Sequence, residues 1–482
     1  MQSPGLQPLD WALIALYACS TIGLGIYFSR KQTSTKEYFI GNAKMPPLLI
    51  GVSIFATLLS TISYLSMPGE SAGKGPVMLL AIVGYPLVYV IVAYGLLPVY
   101  MRHRVTSAYE LLEENLGLKI RLLGASMFLL LRIVWMTLLV YLAAKAMIVM
   151  MGIDPKYIPL IVVVTGAVSI VYTSLGGLRA VVVTDFMQTI LLFGGAVMVI
   201  AMITIAMRGF GWFPTQWQSN WDSQPFFSFD PKTRVTVVGT FLATTVWMVA
   251  TIGGDQTAVQ RFMSTRDLAS ARKALATQLI VGATVGATLC LVGLALLGYF
   301  TQHPEHLAAA GLSIEDNADK LFPHFIAYHL PIGVSGLVVA AMFAAAMSSI
   351  DSGINSITAV VMTDFLDRLG MKAKDDKTHY RRAQLLALCI GMIVVAGSFS
   401  MKYIEGNITE VTGKTVNLLT TPIFALFLFA LFVPFATTGG VLIGTFCGTA
   451  TGFLIAFSGP FVALLATWFD VDPAVFGVQL IT

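Results

Sequence analysis

Long stretches without a charged residue alternate with short charged segments along the chain, and this pattern predicts a bundle of membrane-spanning helices. A helix needs about 20 consecutive apolar residues to cross the hydrocarbon core of a bilayer. Charge-free runs of about that length or longer cover residues 11–29, 45–69, 75–101, 157–178, 186–207, 235–254, 274–302, 383–401 and 415–469. The last run is long enough for two helices, and Pro434 with the TTGG sequence at 437–440 marks the turn between them.

Three further apolar segments are interrupted by ionisable residues. They are 121–151 with Arg132 and Lys145, 179–207 with Asp185 just inside one end, and 331–366 with Asp351. The run at 186–207 belongs to the second of these segments, so the pattern predicts about twelve helices. We therefore expect an all-α membrane protein with little of its mass outside the bilayer.

Composition agrees with this prediction and excludes other classes of protein. Charged residues make up 11% of the chain and hydrophobic residues 56%, and the mean hydropathy is +0.80, whereas a soluble chain carries about 25% charged residues. A soluble enzyme and a disordered chain are excluded. The net charge of +4 forms no basic stripe, so we expect no nucleic-acid partner. The sequence also shows no Ser/His/Asp set or metal-spaced cluster at a common depth, so we expect no enzyme.

Lysine and arginine are unevenly distributed between the loops, and this asymmetry predicts the orientation. If residue 1 lies outside, 19 of the 29 Lys and Arg residues fall in loops on the cytoplasmic side. The positive-inside rule therefore places the N-terminus outside, in a multi-pass protein of the plasma (inner) membrane. Residues 1–10 contain no Lys or Arg, so we expect no cleaved signal peptide.

Ionisable side chains within a span cost a few kcal/mol, so they mark a functional site unless they pair locally or reach the surface. Arg132 lies near the middle of its predicted helix, where two roles remain open: a buried structural ion pair or the binding of an anion. Asp185 lies near the inner end of its helix, where a carboxylate at a helix end would also be unremarkable. These two residues and Asp351 are the deep candidates.

The segment MSSIDSGINS at 347–356 has the clearest chemistry of any predicted span. At helical spacing, a stripe is formed by Ala345, Ser348, Ser349 and Ser352, with Asp351 and Asn355 beside it. Several oxygen atoms at bilayer depth suit a hard cation, which needs oxygen ligands to replace its water. The alternative is that these serines bond back to their own helix and permit close helix packing. The carboxylate of Asp351 argues against the packing alternative, so we favour the ion site.

Two runs contain enough Ser, Thr and Gly to weaken a helix. The run at 45–69 contains Ser53, Thr57, Ser60 and Ser63, and the run at 235–254 has a similar texture. In transporters with discontinuous helices, unwound carbonyls coordinate the cation at the membrane midplane. The two runs lie five helices apart with opposite orientation, so they predict interrupted helices in an inverted repeat.

Five motifs in order resemble the sodium/solute symporter family, which includes sodium-coupled transporters of sugars, proline, sialic acid, iodide and monocarboxylates. The motifs are FATLLSTISYLSMP (55–68), VTSAYELLEENLG (105–117), YTSLGGLRAVVVTDFMQ (172–188), GGDQTAVQRF (253–262) and AAAMSSIDSGINSITAVVMTDF (344–365). The resemblance runs from about residue 10 to 460. It implies a LeuT-type fold of 5+5 inverted repeats, with one extra helix before the core and about one after it.

The resemblance also implies how one transmembrane domain, residues 1–482, is divided. An extra helix would cover 9–29, the two five-helix repeats 46–207 and 234–435, and an additional helix 438–460.

A main sodium site is implied by the same resemblance. Its ligands would be the carbonyls of Ala56, Leu59 and Ala345 and the hydroxyls of Ser348 and Ser349. A second sodium site would use Asp185, Asp351 and Ser352. Asp351 departs from the family's serine-rich pattern, and the added carboxylate either strengthens a second cation site or holds a proton there in place of sodium.

The substrate is less well defined by the sequence. The sugar-transporting members resemble one another in a carboxylate on the second core helix and a Lys on the seventh, and residues 75–101 and 274–302 contain neither. Sialic acid transporters use an Arg on the third core helix, where this chain has Arg132 about one turn from the matching position. A guanidinium can grip a carboxylate with two hydrogen bonds, so we favour an organic anion. The expected substrate-facing residues are Ser60, Ser63, Tyr64, Arg132, Trp135, Thr244, Trp247 and Met248.

We therefore predict a sodium-coupled symporter that imports a small polar organic solute, an anion such as a sialic acid or another carboxylate, by alternating access. The expected partners are sodium, the solute and the lipid bilayer, and no oligomer is required. The alternatives are a sodium-coupled sugar or polyol symporter, an amino-acid or vitamin symporter and, from another class, a membrane sensor. A gate, or a plain polar network at a helix end, is expected from Asp255, Gln256, Gln260 and Arg261.

Overall fold

The computed structural model describes residues 6–456, apart from 31, 33, 104, 231–232, 309, 315–316, 372, 374 and 404–407, together with the single residue 468. Within this part, the side chains of 78, 403, 408–417 and 456 are not described. The described residues are helical with short connections, and no strand occurs among them. The end of the predicted helix at 438–460 lies outside the described residues.

Nineteen α-helices occur among the described residues and are numbered in chain order. They are α1 Pro8–Ser29, α2 Thr35–Ile40, α3 Pro47–Leu58, α4 Thr61–Lys74, α5 Met78–Ile82, α6 Tyr85–Val90, α7 Leu97–His103, α8 Glu110–Leu116, α9 Leu118–Met151, α10 Ile158–Ala206, α11 Val237–Gly254, α12 Gln256–Met263, α13 Leu268–Gln302, α14 Pro304–Ala308, α15 Ala318–Tyr328, α16 Val334–Val360, α17 Asp376–Ser398, α18 Ile408–Phe432 and α19 Thr438–Ala456. Two π-helical segments, Ile91–Leu96 and Val361–Leu366, continue α6 and α16.

The described helices supply nine segments that are long and apolar enough to cross a membrane, or up to ten if the bent pair Thr35–Ala43 and Pro47–Leu58 counts as one span, whereas the sequence predicts about twelve. One of the nine, Pro155–Ala206, has 52 residues, far more than the roughly 20 that one crossing needs, and it is bent at Gly177, so its length allows two crossings. The sequence also predicts spans at the interrupted pair α3 and α4 and at α18, whose segment Leu418–Phe432 is a shorter apolar helix.

The predicted interruption in the run 45–69 is confirmed. Helix α3 ends at Leu58, Leu59 is extended with φ −84° and ψ 99°, and α4 begins at Thr61. Ser60 starts the second half, because its hydroxyl accepts a hydrogen bond from the backbone N–H of Ser63 at 3.2 Å. The break leaves backbone carbonyls at bilayer depth without helical partners.

The predicted interruption inside the run 235–254 is wrong. Helix α11 is continuous from Val237 to Gly254, and the chain breaks one residue later at Asp255, which has φ −91° and ψ 120°. A threonine in a helix can satisfy its hydroxyl locally, as Thr245 does by donating to the carbonyl of Phe241 at 2.7 Å. Asp255 instead begins a new helix, because its carboxylate accepts the N–H of Thr257 at 2.8 Å.

Helix α16 lies at the centre of the bundle, and almost every residue from 335 to 360 is buried. It packs against α1, α3, α9, α10, α12 and α17. Its first turn is capped by α1, because a carboxylate oxygen of Asp10 accepts the N–H groups of Gly333 and Gly336 at 2.7 and 2.8 Å. The oxygen-bearing stripe that the sequence predicts on this helix is therefore enclosed by protein on all sides.

The turn within α10 depends on a backbone conformation that only glycine adopts freely. Gly177 has φ +53° and ψ −158°, and a Cβ there would lie 2.7 Å from the carbonyl oxygen of Tyr38. We expect Gly177→Ala to lower the free energy of unfolding by about 1–3 kcal/mol from backbone strain alone, with the clash adding to it. Thermal unfolding of the detergent-purified protein measures this.

Gly194→Ala is the matched control in the same helix, because a Cβ at Gly194 meets nothing within 4 Å. We expect it to leave the protein unchanged or stabilise it by up to about 1 kcal/mol. Equal unfolding temperatures for the two variants would contradict the account of this turn.

Candidate functional site

A buried guanidinium organises the polar cluster at the centre of the bundle. Arg261 projects from α12 and is 1% exposed. Its Nε donates to the hydroxyl of Ser53 at 2.7 Å, and one terminal nitrogen donates to the hydroxyl of Ser352 at 2.5 Å. The same nitrogen lies 3.4 Å from a carboxylate oxygen of Asp185. One side chain thus joins α12 to α3, α10 and α16.

Asp185 is the counter-ion of Arg261 and is fully buried on α10. Its Oδ1 accepts the hydroxyl of Ser348 at 2.6 Å, and its Oδ2 accepts the hydroxyl of Ser53. A carboxylate at this depth is stable only when it is paired and hydrogen-bonded, and here it is both. Asp185 therefore has a structural role in this arrangement, whatever else it binds.

Asp351 is held by different groups. Its carboxylate accepts the hydroxyl of Tyr172, from the first half of α10, and the backbone N–H of Ser352 at 2.6 Å. Sequence reasoning missed Tyr172, although it lies in one of the motifs that carry the resemblance. The signal was a phenol within a span, which needs a hydrogen-bond partner when it is buried.

The residues of the predicted main sodium site lie on neighbouring elements. The hydroxyl of Thr57, next to Ala56, lies 3.0 Å from that of Ser352. The hydroxyl of Thr61, just after the break at Leu59, donates to the carbonyl of Met342 at 3.3 Å. These contacts hold the interruption of α3 and α4 against the segment of α16 that contains the other three predicted ligands.

Ser349 has the property expected of a free ligand at this place. Its hydroxyl oxygen is buried and has no hydrogen-bond partner in the structure, whereas buried hydroxyls are normally satisfied. Among the described residues, no group of three or more His, Cys, Asp or Glu is placed to hold a metal ion.

Arg132 forms the second deep ion pair. Its guanidinium donates to the carboxylate of Asp255, at the break between α11 and α12. It is 7% exposed, and its Nε is buried without a partner. The cavity beside this pair has a volume of about 10 Å³, enough for roughly one water molecule. Of the two roles left open for Arg132, the structure shows the ion pair, with one donor still available.

The other predicted substrate-facing residues fall into three groups. Ser60 and Ser63 lie at the interruption, with their hydroxyls 3.2 Å apart. Tyr64 is fully buried and donates to the carbonyl of Leu192 at 3.1 Å, so it packs between helices in this structure and does not face a solute. The third group lies on helices α9 and α11, where Trp247 is exposed, Thr244 and Trp135 are partly buried and Met248 is buried.

The four residues predicted to form a gate do not form one cluster. Asp255 pairs with Arg132, and Arg261 pairs with Asp185. Gln256 accepts the N–H of residue 108 at 2.6 Å and donates to the carbonyl of residue 106 at 2.8 Å. Gln260 donates to the carbonyl of residue 39 and to the side chain of residue 355. The residues therefore tether α12 and its first turn to several different elements.

Comparison with known proteins identifies relatives along almost the whole chain. The model of the sodium:solute symporter family matches residues 38–448. The sodium/sialic acid symporter SiaT of Proteus mirabilis (strain HI4320) is 31% identical in an alignment 460 residues long, which covers 90% of this chain and 87% of SiaT. NanT of Aliivibrio fischeri (strain ATCC 700601 / ES114), also a sodium/sialic acid symporter, is 29% identical over 94% of this chain and 88% of its own.

Solved structures give the same result at the level of the fold. A Na+-coupled sialic acid symporter in a substrate-bound outward-open state superposes with a TM-score of 0.77 at 26% identity, over 97% of this chain and 93% of its own. The nucleobase-cation-symport-1 family transporter Mhp1, in a closed conformation, superposes with a TM-score of 0.52 at 12% identity, over 88% of this chain and 95% of its own.

We expect Arg261→Met to destabilise the protein by about 3–5 kcal/mol, because it leaves the Asp185 carboxylate buried without its counter-ion. The double variant Arg261→Met with Asp185→Asn removes both charges and should recover more than half of that loss. Unfolding midpoints in detergent measure both effects.

Arg266→Met is the matched control, since this neighbouring arginine has an 80% exposed side chain and a surface substitution costs within about 0.5 kcal/mol. A double variant that is less stable than Arg261→Met alone would show that the pair is not the source of the effect.

Proposed function

Because this chain belongs to the sodium:solute symporter family, we propose that it carries an organic anion of the sialic acid type into the cell together with one sodium ion. Membership of the family establishes sodium-coupled solute transport as the function, and a membrane transporter as the class of protein rather than an enzyme. The LeuT-type fold expected from the motifs is confirmed by the superposition on a Na+-coupled sialic acid symporter. The finer assignments of ligands, orientation and substrate are the proposal.

The proposed main sodium site lies at the interruption between α3 and α4. The carbonyls of Ala56, Leu59 and Ala345 and the hydroxyls of Ser348 and Ser349 supply the oxygen ligands. The buried hydroxyl of Ser349, which has no partner, is the observation that carries this assignment. Sodium bound there draws the broken helix and α16 together, so the ion stabilises one arrangement of the bundle over the other.

The proposed second cation site already carries a positive charge from the protein. The Arg261 guanidinium lies beside Asp185 and donates to Ser352, which are two of the three groups that the sequence assigns to a second sodium. A second sodium ion must therefore displace Arg261 or repel it at short range. Of the stoichiometries that the sequence left open, this arrangement favours one sodium ion per cycle.

An organic anion is the proposed substrate. The two bacterial relatives at about 30% identity are sodium/sialic acid symporters. In this chain Arg132 is the cation at the break between α11 and α12, and its Nε has no partner. A substrate carboxylate that takes over Arg132 frees Asp255, which begins α12. Substrate binding is thereby linked to α12, whose polar side chains form hydrogen bonds to several other elements of the bundle.

The free energy that one sodium ion supplies is enough to accumulate one monovalent anion. A sodium ion that crosses about 100 mV gains roughly 2.3 kcal/mol, and a tenfold sodium gradient adds about 1.4 kcal/mol. One sodium with one monovalent anion moves no net charge, so only the chemical gradient drives accumulation, to about tenfold. Alternating access between the two repeats, 46–207 and 234–435, completes the cycle with the N-terminus outside.

We expect Ser348→Ala and Ser349→Ala each to raise the sodium concentration for half-maximal uptake by about tenfold or more, because each removes one of five oxygen ligands. Sodium titrations of solute uptake into proteoliposomes measure this. Ser356→Ala is the matched control on the same helix, since its hydroxyl donates to the backbone carbonyl of Ser352 at 2.7 Å, which is not one of the five ligands of the proposed main sodium site. Uptake independent of sodium, or unchanged in both variants, would overturn the site.

Labelled sialic acid should accumulate in proteoliposomes under an inward sodium gradient, and the initial rate should not change when a potassium diffusion potential is imposed. Uptake driven by a negative interior would mean more than one sodium ion per anion.

Arg132→Gln should abolish most uptake, because the neutral amide loses the charge that holds the carboxylate. Sodium-driven uptake of labelled glucose but not of sialic acid would favour the sugar alternative, and no uptake of either would favour a sensor.

A further inference from the structure

Four of the six histidines of the chain gather at one end of the bundle, where α13 ends and α16 begins. They are His303, His306, His324 and His329. The rings of His303 and His306 stack with centroids 5.4 Å apart, and those of His306 and His329 stack at 4.6 Å. The ring of His324 meets His329 edge-on at 5.5 Å. We call this set the histidine cluster; the transport mechanism above does not use it.

The histidine cluster has one buried nitrogen that no partner satisfies. The Nε2 atom of His329 is buried and makes no hydrogen bond in the structure, although the ring as a whole is only partly buried. Burial, together with the neighbouring His306, His324 and His303, lowers the pKa of His329 to about 4. Burial also lowers the pKa of His324. These rings are therefore neutral at pH 7, and their environment opposes protonation.

The other titratable groups around the cluster are few. From α13, the hydroxyl of Tyr299 lies 3.3 Å from Nδ1 of His306. From α14, one carboxylate oxygen of Glu305 lies 3.3 Å from His303 and 4.0 Å from His306. Helix α4 packs against α15 with Tyr64, whose ring faces Phe322, and bears Glu70, which is paired with Arg234 at 2.6 Å. The ring of Tyr328, at the end of α15, lies 4.8 Å from that of His324. The carboxylate of Glu305 thus faces two of the four imidazoles, those of His303 and His306.

The histidine cluster joins α14 to α15, and α15 packs on α4, the second half of the interrupted span. Histidines 324 and 329 belong to α15 and its end, and 303 and 306 belong to α14 and the residue before it. The start of α15 touches α4 backbone to backbone, because a Cβ on Gly69 would lie 2.7 Å from the Cα of Asp319 and 2.8 Å from the carbonyl of Ala318. Helix α15 is thus a cover seated on the half-helix that follows the break.

We propose that the histidine cluster is a pH-sensitive latch, which holds α14 and α15 together over α4 while its imidazoles are neutral and releases them when the rings are protonated. Neutral imidazoles stack, whereas two imidazolium ions 4.6 Å apart repel each other. Asp10 binds residues 333 and 336, so the cluster lies on the same side of the membrane as the start of α1. In the orientation proposed above, that side is outside the cell.

The direction of the pH effect follows from linkage. A histidine whose pKa is lowered in the docked state binds fewer protons there than in the released state, so acid favours release. The docked form, in which α15 packs on α4, is favoured above pH 6.5, the ordinary pKa of histidine. Its population decreases as the pH falls toward 4, the pKa of His329 in the docked form. With these two values, the docking equilibrium changes by about tenfold between pH 7.5 and 5.5.

Hydrogen–deuterium exchange of the intact transporter tests the latch without using transport. Exchange in residues 318–330 is compared at pH 7.5 and 5.5 after correction for the intrinsic rate, with α19 as the internal reference. We expect protection of α15 to fall by about tenfold at pH 5.5, while protection of α19 stays the same. Equal protection of α15 at both pH values would overturn the proposal.

Histidine substitutions distinguish a latch formed by the cluster from a general loss of stability in acid. His329→Gln keeps a polar side chain of similar size without the titration, so it should reduce the pH effect on α15 to about twofold or less. His103→Gln is the matched control, since His103 lies outside the cluster and pairs with Glu114 at 3.0 Å; it should retain the full tenfold effect. If His329→Gln does not fold, His329→Asn takes its place, and an unchanged pH effect in either variant would overturn the latch. Sodium-driven uptake is unaffected by this outcome, so failure of the latch leaves the transport function intact.

Discussion

The burial of one guanidinium is the constraint on which the centre of this transporter depends. Arg261 lies at bilayer depth with almost no exposure, where an unpaired charge is too costly to keep. Its stability requires Asp185 on α10 and hydroxyls on α3 and α16 to converge on it. Four helices that are distant in sequence are thereby held in one register, and α12 cannot move without breaking this network. The cost of burying the Arg261 charge therefore couples α12 to the three other helices.

The two interrupted helices create the chemistry that a continuous helix could not supply. In a lipid bilayer, irregular backbone is tolerated only inside the protein, and both breaks lie against the buried helix α16 or the ion pair of Arg132. The break at Leu59 frees carbonyl oxygens beside the serines of α16. The break at Asp255 places a carboxylate where α12 begins. In the proposed function, the first break binds the cation and the second exchanges its carboxylate for that of the substrate.

Prediction from the sequence succeeded where the physical cause is local. Lack of charge marked the spans, because the bilayer selects for it residue by residue, and the serines and threonines of the run 45–69 marked the first break. It failed for the second break, because a threonine such as Thr245 can satisfy its hydroxyl within α11, and the helix ends instead at Asp255. The four residues expected to form a gate also do not meet, since Asp255, Gln256, Gln260 and Arg261 each bind different partners.

The sequence by itself determined the class of protein, its construction from membrane-spanning helices and the helix that carries the oxygen stripe, because hydropathy and helical periodicity are properties of the chain alone. Only the tertiary structure decided which charges meet. Arg132 and Asp255 are 123 residues apart and Asp185 and Arg261 are 76 apart, and no periodicity relates them. Likewise, the four histidines sit in connecting segments with no sequence motif. Partners of this kind are selected by the energy of leaving a buried charge or ring unpaired, and that energy exists only once the helices are packed.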